Sequence, residues 1–73
     1  MDYREIIEIN PDIRFGKPCI KGTRICVYDV LGWLASDMSI DEILEDYPHL
    51  TKEQILACLA YSADRERKIK VAL

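Results

Sequence analysis

Apolar residues in the second half of the chain recur at helical spacing. Four of them fall on a single helical stripe, namely Val27, Val30, Leu31 and Leu34. Asp29 lies near the start of this stripe, where a carboxylate complements the positive end of a helix dipole. The pattern therefore predicts a first helix over about 28–36.

Two capping patterns predict where the next two helices begin. In each, an N-cap side chain is followed three residues later by a residue that completes a capping box: Ser39 with Glu42, and Thr51 with Gln54. Pro48 disfavours helical geometry at the preceding residue and so limits the first of these helices. We predict helices over 40–46 and 52–68, and their lengths and short connection match a helix-turn-helix.

The first 27 residues have the pattern of short strands separated by turns. Ile6, Ile7 and Ile9 favour a strand that ends at the turn signal Asn10-Pro11. Residues 18–20 and 24–27 predict a second and a third strand around a tight turn, with Gly22 at positive φ. The fold class is thus mainly α: one tri-helical domain over 1–73, with a β arm or hairpin over 1–27, helices over 28–68 and a tail over 69–73.

Length and cysteine usage restrict the class of protein. A domain of 73 residues buries a limited core, so we expect a second subunit and a homodimer. Cys19, Cys26 and Cys58 are an odd number with no C-x-x-C pair, which favours buried thiols in a reducing cytoplasm over disulfides or zinc. The sequence contains no signal peptide or membrane-spanning stretch, so we expect a cytoplasmic protein without a membrane partner and without a cofactor.

Charge is segregated along the chain, although the formal net charge is only −3. Residues 13–28 contain four basic side chains and no acid, whereas residues 29–64 contain eight acids and a single base, Lys52. Basic residues return at Arg65, Arg67 and Lys68. Such segregation can steer an anionic partner. Solvated faces, or neutralisation between subunits, are the alternative interpretation.

The chain resembles a small prokaryotic family catalogued as domain of unknown function 433, over nearly all residues from about 6 to 63. The matching motifs are Asn10-Pro11, Gly16-Lys17-Pro18, Gly22-Thr23-Arg24, Ser39-x-x-Glu42-Ile43-Leu44-x-Asp46-Tyr47-Pro48, Leu50-Thr51 and Ala60-Tyr61. The resemblance implies a homeodomain-like fold, an antitoxin-like role beside a nuclease of PIN-related fold, and a dimer held partly by its N-terminal β segments. Two residues depart from the family pattern: Phe15, where a glycine is common, and Cys26, where proline is common.

Binding functions fit the charge pattern better than catalysis. An antitoxin-like protein would use Arg65, Arg67 and Lys68 to pair with the carboxylates of a nuclease toxin. In the alternative interpretation, these three basic residues only extend the last helix and complement its negative C-terminal end. The order of a phosphate loop is absent, since Gly22 is followed by Thr23. The single histidine, His49, fits an exposed turn beside Pro48 better than a nucleophile pair with Cys19 or Cys58. We therefore expect no enzyme activity and no catalytic or metal-binding residues.

Duplex DNA is a second predicted partner, either for autoregulation or in a stand-alone helix-turn-helix regulator without a toxin. The head of the last helix would face the major groove, and the β arm would contact phosphates. The candidate DNA-binding residues are Lys17, Lys21, Arg24, Thr51, Lys52 and Gln54. Acidic residues on the preceding helix oppose such binding. Arg24 has a structural alternative, which is to pair with an acid such as Asp29 or an N-terminal glutamate, in its own or in the partner subunit.

Overall fold

The architecture is a short β-hairpin followed by three helices, in a computed structural model that describes residues 1–68. The strands and helices are β1 (Ile7–Ile9), β2 (Pro18–Ile20), α1 (Val27–Ala35), α2 (Ile40–Asp46) and α3 (Lys52–Lys68). The predicted mainly α, tri-helical fold with an N-terminal hairpin is confirmed, and each helix begins and ends within one residue of its prediction. The predicted tail over 69–73 lies outside the described residues.

The two strands are antiparallel, with Ile7 opposite Ile20, Glu8 opposite Cys19 and Ile9 opposite Pro18. The predicted Asn10-Pro11 turn follows β1. In this turn the Asn10 side-chain oxygen accepts the Asp12 N–H at 2.9 Å. Two short 3-10 turns, at Tyr3–Glu5 and Arg14–Gly16, were not predicted.

The predicted third strand over 24–27 is wrong. Only an isolated bridge joins Cys19 and Cys26, because Cys26 is already the N-cap of α1. The Asp29 carboxylate accepts the Cys26 N–H at 2.9 Å and turns the backbone into the helix. Gly22 does have a positive φ, of 79°, as the turn prediction requires.

Both predicted capping boxes are present and account for the starts of α2 and α3. The Ser39 N–H donates to Glu42 Oε1 at 3.0 Å, and the Glu42 N–H donates to Ser39 Oγ at 3.1 Å. The equivalent distances between Thr51 and Gln54 are 2.9 and 3.2 Å. Local sequence therefore determines these two helix starts without tertiary contacts.

The hydrophobic core lies where the hairpin meets the three helices. Its most deeply buried side chains come from β2 and from all three helices: Ile20, Val30, Ile43, Ile55 and Cys58. Trp33 and Tyr47 stack at 4.6 Å between ring centroids and pack against this cluster. Within residues 1–68 no charged side chain is buried, so the charged residues remain on the surface.

Candidate partner-binding surface

A groove of about 620 Å³ lies between the start of β2, the start of α1 and the second half of α3. Two cations and two tyrosines define it: Lys17, Tyr28, Tyr61 and Arg65. We call these four residues and the space between them the cation–tyrosine groove. It joins a residue of the predicted DNA-binding set, Lys17, to a residue of the predicted toxin-binding set, Arg65.

Each cation in the groove lies over an aromatic ring. Lys17 Nζ is 5.0 Å from the centroid of the Tyr28 ring. The Arg65 guanidinium carbon is 5.7 Å from the centroid of the Tyr61 ring, and Arg65 Nη1 donates to the Tyr61 hydroxyl at 3.2 Å. Cation–π contacts at these distances are attractive but modest, so they orient the two cations and leave their charges available to a partner.

Local structure explains how these side chains meet. Lys17 directly precedes β2, and Tyr28 is the second residue of α1, where its side chain is 66% exposed. Tyr61 and Arg65 are four residues apart on α3 and therefore share one face of the helix. The rest of the lining is largely apolar, with Pro18, Val27 and Leu31 beside Ser62 and Glu66.

The other two predicted toxin-binding residues form ion pairs with the chain itself. Asp64 accepts a hydrogen bond from the Tyr3 hydroxyl, pairs with Arg67, and pairs with Lys68 Nζ at 3.0 Å. The hydrogen bond from Tyr3 and then the contacts with Lys68 and Arg67 lower the pKa of Asp64 well below its ordinary value. Arg65 is thus the member of the predicted trio whose side chain lines the groove and has no acidic partner among residues 1–68.

The predicted DNA-binding residues at the head of α3 are separate from the groove. Thr51 and Gln54 use their side-chain oxygens in the capping box, and Lys52 is exposed beside them. Along α3, Lys52 is about 20 Å from Arg65 at 1.5 Å per residue. The neighbouring surface of α2 is acidic, with four exposed carboxylates: Asp41, Glu42, Glu45 and Asp46.

The ion pair expected for Arg24 is formed by Arg14 instead. Arg14 Nη1 lies 3.0 Å from Asp29 Oδ2 and also donates to the Arg24 carbonyl oxygen at 2.9 Å. Burial opposes ionisation of Asp29, but hydrogen bonds from the Cys26 N–H and from Arg14 lower its pKa overall. Arg24 therefore has no acidic partner within residues 1–68 of its own chain, and its pairing with an acid of a partner subunit stays a prediction. Arg24 and Lys21 are exposed cations.

The three cysteines are buried free thiols, as the sequence predicts. Cys19 Sγ and Cys26 Sγ nevertheless lie 3.2 Å apart across the bridge that joins these residues. Burial, followed by the contact with Cys26, raises the pKa of Cys19 to about 11, and burial raises the pKa of Cys58 to about 12. At neutral pH these two thiols are protonated and poorly nucleophilic.

Two features are absent from residues 1–68. No helix there is long and apolar enough to cross a membrane. No group of three or more His, Cys, Asp or Glu side chains there has an arrangement that could hold a metal ion.

Comparison with known proteins identifies the family. The family model for "Protein of unknown function (DUF433)" matches residues 7–62. An uncharacterized protein, y4eO of Sinorhizobium fredii, is 41% identical over 59 residues, which are 81% of this chain and 27% of that protein. This chain thus spans about a quarter of the length of that relative.

A solved structure has the same fold. The crystal structure of a DUF433 member from Anabaena variabilis aligns with a TM-score of 0.80 at 28% sequence identity, over 86% of this chain and 62% of that one. The family model, the relative and the fold agree. The chain belongs to the DUF433 family of proteins of unknown function.

Proposed function

We propose that this chain is a non-catalytic, antitoxin-like protein that binds and inhibits a nuclease of PIN-related type. The observation that supports this proposal is the cation–tyrosine groove, in which Lys17 and Arg65 line one concave surface. Metal-dependent nucleases hold their catalytic ions with clustered carboxylates. An acidic surface of that kind is electrostatically complementary to the groove.

The chemistry of the groove suits a protein partner. Arginine makes strong bidentate hydrogen bonds with carboxylates, and Arg65 has no acidic partner among the described residues. Tyrosine and arginine are also the side chains most often found at the energetic centres of protein interfaces. Tyr28 and Tyr61 therefore offer contact area beside the two charges.

We expect a gene beside that of this chain to encode the nuclease, and the direct test uses that protein after purification. Cleavage of a fluorescent single-stranded oligonucleotide by the purified nuclease is measured while this chain is added. We expect cleavage to fall to background once the two proteins are equimolar, and we expect them to elute together in size-exclusion chromatography. Full nuclease activity and separate elution with this chain in excess would contradict the proposal.

A second candidate function is DNA binding by the β arm, either for autoregulation or in a stand-alone regulator. It is favoured by Lys21 and Arg24, which are exposed and have no ion-pair partner among residues 1–68. Because the α2 surface is acidic, phosphate contacts would come from these residues and Lys17. A mobility-shift assay with the native promoter fragment tests this function, and the double variant Lys17→Glu, Lys21→Glu is expected to lose the shift. A shift that is unchanged in that variant would exclude the β arm as the DNA surface.

We also propose that the chain forms a homodimer through the free edge of β1. The Lys21 N–H donates to the Ile6 carbonyl at 2.8 Å, so Ile6 and Lys21 are a hydrogen-bonded pair. Because such pairs alternate along an antiparallel ladder, Ile7 and Ile9 direct their backbone N–H and C=O groups away from β2. An unpaired edge of this kind is a template for a strand of a second chain, and Ile9 is 61% exposed there.

Light scattering tests the dimer. We expect twice the chain mass of 8.5 kDa at micromolar concentration, and we expect Ile9→Lys to give a monomer because it places a charge at the edge. Leu59→Lys changes an exposed leucine on α3 and is the matched control. A wild-type monomer, or a dimer that only Leu59→Lys disrupts, would contradict pairing through β1.

A further inference from the structure

Phe15 is presented to solvent by a left-handed turn that is unusual for its residues. Arg14, Phe15 and Gly16 have φ angles of 50°, 60° and 80° in succession. Side chains other than glycine are disfavoured in this region, because Cβ approaches the following carbonyl oxygen. The chain therefore holds two strained residues in a row at this turn, and strain of this kind is concentrated at functional sites.

Several interactions hold the turn in place. The Gly16 N–H donates to the Ile13 carbonyl at 3.1 Å, and the Lys17 N–H donates to the Arg14 carbonyl at 3.2 Å. The Arg14 side chain fastens the turn to the start of α1 through Asp29, at 3.0 Å. The turn is thus a fixed support for the residue at its centre.

Within residues 1–68, the Phe15 side chain does not pack against the rest of the chain. It is 100% exposed, the highest value among the large apolar side chains of residues 1–68. Exposing an aromatic ring on strained backbone is unfavourable for the isolated chain. Burial of the ring in an apolar pocket of another molecule offsets both the exposure of the ring and the backbone strain. Rigid aromatic side chains are typical anchors of protein interfaces.

The surroundings of Phe15 specify the charge of that other molecule. Lys17, Lys21 and Arg24 are exposed on the same β arm, and residues 13–28 contain no acid. Of the two nearest carboxylates along the chain, Asp29 is paired with Arg14, whereas Asp12 is exposed and has no ion pair among residues 1–68. Three exposed cations thus stand against one unpaired carboxylate. A surface that receives Phe15 must therefore be apolar at its centre and negative around its edge.

We propose that Phe15 is the aromatic anchor of the partner-binding surface and that it enters an apolar pocket rimmed by carboxylates on the nuclease partner. This proposal rests on the proposed function, because it identifies the side chain by which the same nuclease is held. A folded protein fits better than single-stranded nucleic acid. Stacking of successive bases uses several accessible ring faces. One face of the Tyr28 ring is occupied by Lys17 Nζ, 5.0 Å from the ring centroid, and Phe15 is the one fully exposed aromatic ring among residues 1–68.

The variant Phe15→Gly separates anchoring from folding. Glycine adopts positive φ without strain, so the variant should melt at the same temperature as the wild type or higher. Its dissociation constant for the purified nuclease, measured by biolayer interferometry, should rise by about tenfold or more. Phe15→Trp, which keeps a large aromatic ring, should bind more tightly than Phe15→Gly.

Leu56→Ala is the matched control for loss of an exposed apolar side chain. Leu56 is 39% exposed and lies on the opposite face of α3 from Arg65. The Leu56→Ala variant should therefore bind the nuclease with the affinity of the wild type. If Phe15→Gly binds the nuclease as the wild type does, the anchor is excluded and the proposed function survives. If the wild type does not bind the nuclease, both are excluded. If the mutation weakens only binding to a single-stranded oligonucleotide or self-association, the anchor is likewise excluded.

Discussion

At the residue scale, Asp64 connects the N-terminal turn to the end of α3. Its carboxylate accepts from the Tyr3 hydroxyl and pairs with Arg67 and Lys68, and these contacts lower its pKa. A carboxylate whose pKa is lowered by folding stabilises the folded state above the ordinary pKa of 3.8. That contribution is lost as the pH falls through the lowered value.

Asp64→Asn should therefore lower the free energy of unfolding at pH 7, and the difference from the wild type should shrink below about pH 4. Urea denaturation at pH 7 and at pH 3 measures both differences. Asp12→Asn is the control, because Asp12 is exposed and has no ion pair among residues 1–68. A difference for Asp64→Asn that is the same at both pH values would show that the charge of Asp64 is unimportant.

Single residues also show what the sequence could not predict. The sequence indicates that Asp29 lies near the start of a helix and offers Arg24 as one alternative partner for its ion pair, whereas the structure pairs Asp29 with Arg14. The reason is the left-handed backbone at Arg14 and Phe15, which no local pattern indicates because both residues disfavour it. The exposure of Phe15 was missed for the same reason.

At the scale of helices and strands, capping was the most reliable signal. The capping boxes placed the starts of α2 and α3 correctly because the hydrogen bonds join residues three apart. The prediction of a third strand over 24–27 was wrong although these residues have the composition of a strand. The Asp29 carboxylate accepts the Cys26 N–H, so the backbone begins α1 at this point. Strand propensity depends on such context more than helix capping does.

Thr51→Ala should lower the free energy of unfolding by about 1 kcal/mol, since the Gln54 N–H then loses its partner at the start of α3. Thr51→Ser keeps the hydroxyl and is the control, with an expected change of a few tenths of a kcal/mol. Urea denaturation monitored by circular dichroism measures both. An Ala variant as stable as the wild type would mean that the capping box does not contribute to α3.

At the scale of the whole molecule, folding brings together two basic segments that are far apart in the sequence. Lys17 and Tyr28 come from the β arm and α1, whereas Tyr61 and Arg65 come from α3, yet all four line one groove. The sequence predicted both basic segments but assigned them to different partners. Their proximity depends on how the hairpin packs against α1 and α3, which is a tertiary relation that periodicity and capping do not encode.

We propose that this groove holds an acidic protein partner. This proposal is tested by titrating the PIN-related nuclease that we propose as the partner against the wild type, the double variant Lys17→Glu, Arg65→Glu, and the control Lys52→Glu. We expect the double variant to keep its fold and to bind about tenfold or more weakly. Lys52→Glu, about 20 Å away along α3, should bind as the wild type does. Equal affinity for the wild type and a folded double variant would contradict this proposal.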